Sequence, residues 1–99
     1  MTTPDQLNAI LAKGDGRPIP RLTCEDGFTV SVQANQYAYA SPRSNTGPWY
    51  QAEIGFPSEE VKLWAEWIED PENPTDTVYG YVPLQAICDG LNEHGGIKE

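Results

Sequence analysis

Phe28, Val30, Val32 and Ala34 alternate with Thr29, Ser31 and Gln33, directly after the dipeptide Asp26-Gly27. An apolar residue at every second position marks a strand with one face buried and the other solvated. Asp-Gly tolerates the positive φ that a tight hairpin turn requires, so Arg21 to Cys24 reads as the partner strand. Tyr37 and Tyr39 keep the two-residue spacing, which leaves room for the strand to continue past an irregularity at Asn35-Gln36. A third strand is expected over Trp49 to Phe56, with Tyr50, Ala52, Ile54 and Phe56 on one face and Trp49, Gln51 and Glu53 on the other. A fourth covers Thr77 to Val82, with Val78 and Gly80 opposed to Thr77, Tyr79 and Tyr81.

Helical signals surround these strands. Thr3, Pro4 and Gln6 form a capping-box start, Leu7, Ile10 and Leu11 share a face, and Gly14 ends the helix. Asp15 to Pro20 is a Gly/Pro connector. Pro57-Ser58 opens a second helix, with Ser58 as its cap and a buried stripe of Val61, Trp64, Ala65 and Ile68. Pro83 begins a third, whose Leu84, Ile87, Cys88 and Leu91 share one stripe, and His94-Gly-Gly96 ends it. Helix, three strands, helix, strand and helix in that order predict one α+β domain over residues 1–99. The sheet is small, of about four strands, mostly antiparallel, with two or three helices packed on it.

Charge excludes whole classes of partner. Fifteen acids against six bases give a formal charge of −9. A nucleic-acid backbone or an anionic membrane surface calls for a basic footprint, so neither is an expected partner. The acidity serves solubility, or it forms a face that docks on a basic protein. The first residues lack the basic and apolar regions of a signal peptide, and no stretch approaches the length of a membrane span, so a cytoplasmic location is expected. Cys24 and Cys88 are too few and too far apart for a disulfide scaffold or a zinc site.

The usual marks of catalysis are missing. His94 is the one histidine, and its place in a last helical turn fits the neutralising of helix-end carbonyls. One His and two distant Cys make no zinc or iron set, and Glu69 to Asp76 lacks EF-hand spacing. No Gly-rich phosphate loop precedes a helix, and nothing singles out a working pair of carboxylates. The chain is read as a non-enzyme without a cofactor or metal.

Three constellations suit binding. The first is Tyr37, Tyr39, Arg43, Trp49 and Tyr50, in which Arg43 is the only basic residue between Arg21 and Lys62. A guanidinium among flat rings, stiffened by Pro42 and Pro48, can hold an anionic or planar ligand. The plainer alternative puts two rings in the core and pairs Arg43 with an acid such as Glu53. The second is Thr75, Asp76 and Thr77 with Tyr79 and Tyr81, where small polar groups either cap turns or read a base and ribose beside a stacking ring. The third is acidic, Glu59, Glu60 and Glu66 with Trp67 beside them, either a solvated helix face or a docking surface.

Several segments together resemble a widespread group of small proteins encoded by tailed phages and prophages. They are Ser31-Val-Gln-Ala34, Ser41-Pro-Arg43, Gly47-Pro-Trp-Tyr50, Glu53-Ile-Gly-Phe-Pro-Ser58, Glu69-Asp-Pro71, Asn73-Pro-Thr-Asp-Thr-Val-Tyr-Gly-Tyr-Val-Pro83 and His94-Gly-Gly96. The likeness covers residues 28–96 and leaves the N-terminal helix, residues 1–14, outside. Members of that group carry no established activity. The resemblance implies a phage accessory protein working in the host cytoplasm during infection, with counter-defence as its expected role. Two mechanisms follow. In one, the chain is a sponge that sequesters a nucleotide-type second messenger in the aromatic and Arg43 pocket. In the other, it is an acidic inhibitor of a host defence nuclease, comparable to an anti-CRISPR, and a structural or regulatory phage role is a third option. The charge of −9 opposes the first. Arg17 and Arg21, or an Arg43 from a second copy in a homo-oligomer, would be needed to offset it.

Overall fold

In the computed structural model, described for residues 1–98, the Asp26-Gly27 hairpin forms as its sequence dictates. Gly27 takes a φ of 97°, and the Cys24 N–H donates to the Phe28 carbonyl at 2.8 Å. Four strands make one antiparallel sheet in sequential order: β1 (Leu22–Thr23), β2 (Thr29–Gln33), β3 (Gln51–Gly55) and β4 (Val78–Pro83). Helix α1 (Pro4–Ala12), a 3-10 helix (Lys62–Trp67) and helix α2 (Leu84–Asn92) complete an α+β fold. No helix among the described residues is long and apolar enough to cross a membrane.

One face of the sheet is the core. Val30, Val32, Ala52, Ile54, Tyr79 and Val82 are all buried there, and α2 adds Leu84, Ile87, Cys88 and Leu91. Trp64 sits among them with its Nε1–H donating to the Ala86 carbonyl at 2.9 Å. Glycine at position 90 of α2 makes room for that indole, because a Cβ there would lie 2.7 Å from Trp64 Nε1. The capping box opens α1, Leu7 and Leu11 turn inward, and Asn92 of α2 exchanges two hydrogen bonds with the Thr2 backbone.

Both sheet edges are covered, which denies pairing to another chain. Lys98 N–H donates to the Thr23 carbonyl at 2.8 Å beside β1, and Glu69 N–H to the Val78 carbonyl at 3.1 Å beside β4.

Several local expectations are overturned, among them the third strand, which runs only over Gln51–Gly55 and leaves Tyr50 and Phe56 exposed beyond its ends. The segment after Pro57 is a short 3-10 helix, because Ser58 does not cap it: its Oγ accepts the Thr29 N–H and its own N–H donates to the Thr29 carbonyl. Ser58 is thereby spent on β2, helix geometry starts only at Lys62, and Ala65 is exposed. Tyr37 and Tyr39 do not prolong β2. Asn35 Oδ1 accepts the N–H groups of Tyr37 and Ala38 and turns the chain instead. Finally, a register shift lies between Ala52 and Ile54 of β3, opposite Tyr79 and Val82. Tyr81 has a φ of 55°, so Tyr79 and Val82 both face inward while Tyr81 faces out, which breaks the simple alternation.

Candidate functional site

The loop between β2 and β3 is built around one buried indole. Trp49 donates from Nε1 to the Ser44 carbonyl at 2.9 Å, and Asn8 of α1 clasps its backbone, accepting its N–H at 2.7 Å and donating to its carbonyl at 3.1 Å. Gly47 leaves space for the ring, since a Cβ there would lie 2.9 Å from Trp49 Cε3. The peptide bonds Ser41–Pro42 and Gly47–Pro48 are cis. Trp49 is therefore the plug of the loop and not a stacking plate for a ligand.

The other members of the first constellation point outward, and so does Tyr81 of the second. Tyr37 is 76% exposed, Tyr50 71%, Tyr39 42% and Tyr81 41%. Backbone bonds gather three of them at one end of the sheet: Tyr81 N–H donates to the Tyr39 carbonyl and Tyr50 N–H to the Ser41 carbonyl, each at 2.8 Å. The Tyr39 and Tyr81 rings meet with centroids 5.9 Å apart, and Tyr39 lies over Gly80, where a Cβ would come within 3.2 Å of it. Arg43 is exposed and makes no ion pair with a described carboxylate. Glu53, its suggested partner, accepts the Tyr39 N–H at 2.9 Å instead. The result is an open tyrosine surface, with Arg43 exposed and unpaired in the loop that carries part of it.

The second constellation does not join it as a pocket. Asp76 N–H donates to the Asn73 carbonyl, closing a turn, and the Thr77 carbonyl accepts the Phe56 N–H across the sheet, so this run is bonded within the fold. Thr75 and Asp76 are exposed, and Thr77 is buried. Tyr79 is also buried, its hydroxyl donating to the Pro74 carbonyl at 2.6 Å and its ring set edge-on to Trp64. Burial removes Thr77 and Tyr79, with Trp49, from the set of ligand-facing side chains. Tyr81 alone of this group reaches the tyrosine surface.

Of the acidic constellation, Glu59, Glu60 and Glu66 are exposed, and Trp67 is half-buried against the core. His94 does not serve helix-end carbonyls. Its Nδ1 lies 2.7 Å from Asp26 Oδ2, its Nε2 lies 3.7 Å from Glu59 Oε1, and its ring stacks on Phe28. An ionised carboxylate only accepts, so Nδ1 carries the hydrogen. The Asp26 carboxyl is held below its ordinary range, first by the Phe28 N–H and then by His94. The thiols of Cys24 and Cys88 are both pushed up to about 11 by burial, so neither is poised as a nucleophile. No group of three or more His, Cys, Asp or Glu among the described residues is placed to hold a metal ion.

Two of the surface's concavities stand out, and neither of these includes a residue of the tyrosine-bearing loop. The larger, of about 670 Å³, lies between the end of α1 and the connector to β1 and gathers Lys13, Arg17 and Arg21. Reading residues 15–20 as a mere connector missed it. The available signal was that three of the six bases fall within residues 13–21 of an acidic chain.

No protein-family model, no curated protein and no solved structure gives a significant match to this chain.

Proposed function

We propose that this is a non-catalytic binding protein, a phage-type accessory factor that docks a basic host protein against the tyrosine-rich end of its sheet. The observation that carries this reading is the outward display of four of the five tyrosines, together with an exposed and unpaired Arg43. Tyrosine and arginine supply large contact area and hydrogen bonds at small ordering cost, and they dominate the energetics of protein interfaces. Basic character in the partner follows from the net charge of −9 and from the acidic stretch Glu69 to Asp76, which runs beside β4. Counter-defence is the role implied by the resemblance to small phage proteins, and blocking a defence nuclease fits an acidic ligand for a basic channel. Glu59, Glu60 and Glu66 would then add charge complementarity at the rim.

Sequestration of a nucleotide second messenger is the second reading. It is favoured by the Tyr39–Tyr81 ring pair and the free guanidinium, and weakened by the loss of Trp49 and Tyr79 to the core.

Capture of host proteins on immobilised wild-type and Tyr37→Ser/Tyr50→Ser protein tests the first reading. A stoichiometric basic protein, retained by wild type, released by salt and lost with the double variant, is the expected result. Capture that ignores both tyrosines would overturn it. A small molecule seen by native mass spectrometry in place of a protein would shift the weight to the second reading.

A further inference from the structure

We propose that the cleft between the end of α1 and the connector to β1 is an anion site, built for a small organic phosphate. Lys13, Arg17 and Arg21 line it against a single carboxylate, Asp15, so three cations meet one acid in a chain of −9. The only ion pairs among the described side chains are those of His94, which leaves all three cations without an acidic partner. All three are exposed, so water and salt screen them in the free protein, and a bound anion would add the fixed opposite charge that the cleft lacks.

The connector side of the cleft is held in place by hydrogen bonds to the sheet. Gln33 on β2 holds Ile19 from both sides, its Oε1 accepting the Ile19 N–H at 2.8 Å and its Nε2 donating to the Ile19 carbonyl at 2.9 Å. Arg21 is anchored through Nη2 alone, which donates to the Phe56 carbonyl at 2.6 Å and to Thr29 Oγ1 at 3.1 Å. Both of those partners lie outside the cleft, so Arg21 borders it with a fixed head group, and Lys13 and Arg17 are left to meet an anion directly. The carbonyl end of α1 is unfavourable to an anion, and the hydrogen bonds made there blunt that repulsion without abolishing it. The carbonyls of Ile10, Leu11, Ala12 and Gly14 accept the N–H groups of Lys13, Gly14, Asp15 and Arg17.

The remaining walls are apolar, made by Ile10, Ile19, Leu22 and the connector prolines. A free inorganic anion would gain nothing from them. A phosphate carried on an apolar or planar body would use both, and a volume of about 670 Å³ lies within the range of small-molecule sites. This site is independent of the tyrosine surface.

Titration of isotope-labelled full-length protein, followed by amide chemical shifts, tests the proposal with three probes: adenosine monophosphate, inorganic phosphate and adenosine. The expected result is saturable shifts over residues 13–22 with the monophosphate, at least tenfold weaker binding of inorganic phosphate, and none with adenosine. Arg17→Ala and Lys13→Ala each weaken the monophosphate by about tenfold. Asp15→Asn tightens it several-fold, asparagine being suited to the left-handed φ of 49° at that position. Lys62→Ala, outside the cleft, leaves it unchanged. Absence of phosphate-dependent shifts, or shifts indifferent to Arg17→Ala, would overturn the site. Equal binding of inorganic phosphate and the monophosphate would overturn the role given to the apolar walls.

Discussion

The His94 ring lies flat on Phe28, with centroids 4.1 Å apart and an interplanar angle of 7°. Phe28 in turn approaches Trp64 at 6.2 Å, and Trp64 approaches Tyr79 at the same distance. A line of four rings thus crosses the core from the last turn of the chain to β4. Its outer end is pinned by Asp26, so the hairpin turn, the end of α2 and the aromatic core are joined through one carboxylate.

That carboxylate gives stability a sign with respect to pH. The folded pKa of Asp26 is depressed below 3.8. Its contribution is therefore complete above the unfolded value and disappears as pH falls through the folded one. Asp26→Asn is expected to lower the urea midpoint at pH 7, with the difference from wild type closing below about pH 4. Equal midpoints at pH 7 would show that the contact contributes nothing.

Gly90→Ala tests the packing of Trp64. In an exposed helix this exchange stabilises by about 0.5–1 kcal/mol. Here the new methyl meets the indole, and overpacking costs about 1–3 kcal/mol. A net fall in the urea midpoint with an unchanged slope is expected. A rise would mean that the indole shifts aside freely.

The hairpin, the capping box and the α2 stripe were legible in the sequence because each is a local pattern with one geometric outcome. Thr3 with Gln6 caps α1, and Leu84, Ile87, Cys88 and Leu91 are buried together. The errors arose where a distant contact outbid a local preference. Ser58 has the chemistry of a cap but bonds to Thr29 across the sheet, and a register shift turns Tyr81 outward. Nothing local distinguishes Trp49, a plug held by Asn8 from 41 residues away, from Tyr50, which is solvated. The basic cleft depends in the same way on Gln33 pinning a connector that sequence alone leaves slack.

Trp49→Ala is accordingly a stability variant and no test of binding. Emptying a buried aromatic site costs about 3–5 kcal/mol, a large part of the roughly 5–15 kcal/mol that holds a domain folded. Thermal unfolding should begin many degrees lower, with the loss of the Asn8 clasp. A near-native melting curve would place the indole at the surface after all.

Cys24 and Cys88 should be slow to react. Both are buried, and their thiols are pushed up to about 11, so the thiolate fraction at pH 7 to 8 is very small. A disulfide reagent is expected to label neither thiol in folded protein and both in denaturant. Rapid labelling of the native state would indicate local opening around α2.

On the proposed reading, substitutions at the tyrosine surface separate stability from binding. Tyr37 and Tyr50 are solvated, and single substitutions there should change unfolding free energy by no more than about 0.5 kcal/mol. Tyr79→Phe should behave oppositely. Loss of the hydroxyl bond to Pro74 costs about 0.5–1.5 kcal/mol, while partner capture stays intact because the ring faces Trp64. Urea unfolding and host-protein capture, measured on the same three variants, should move in opposite directions. If Tyr79→Phe abolished capture at wild-type stability, the working face would have to include the acidic loop that its hydroxyl anchors.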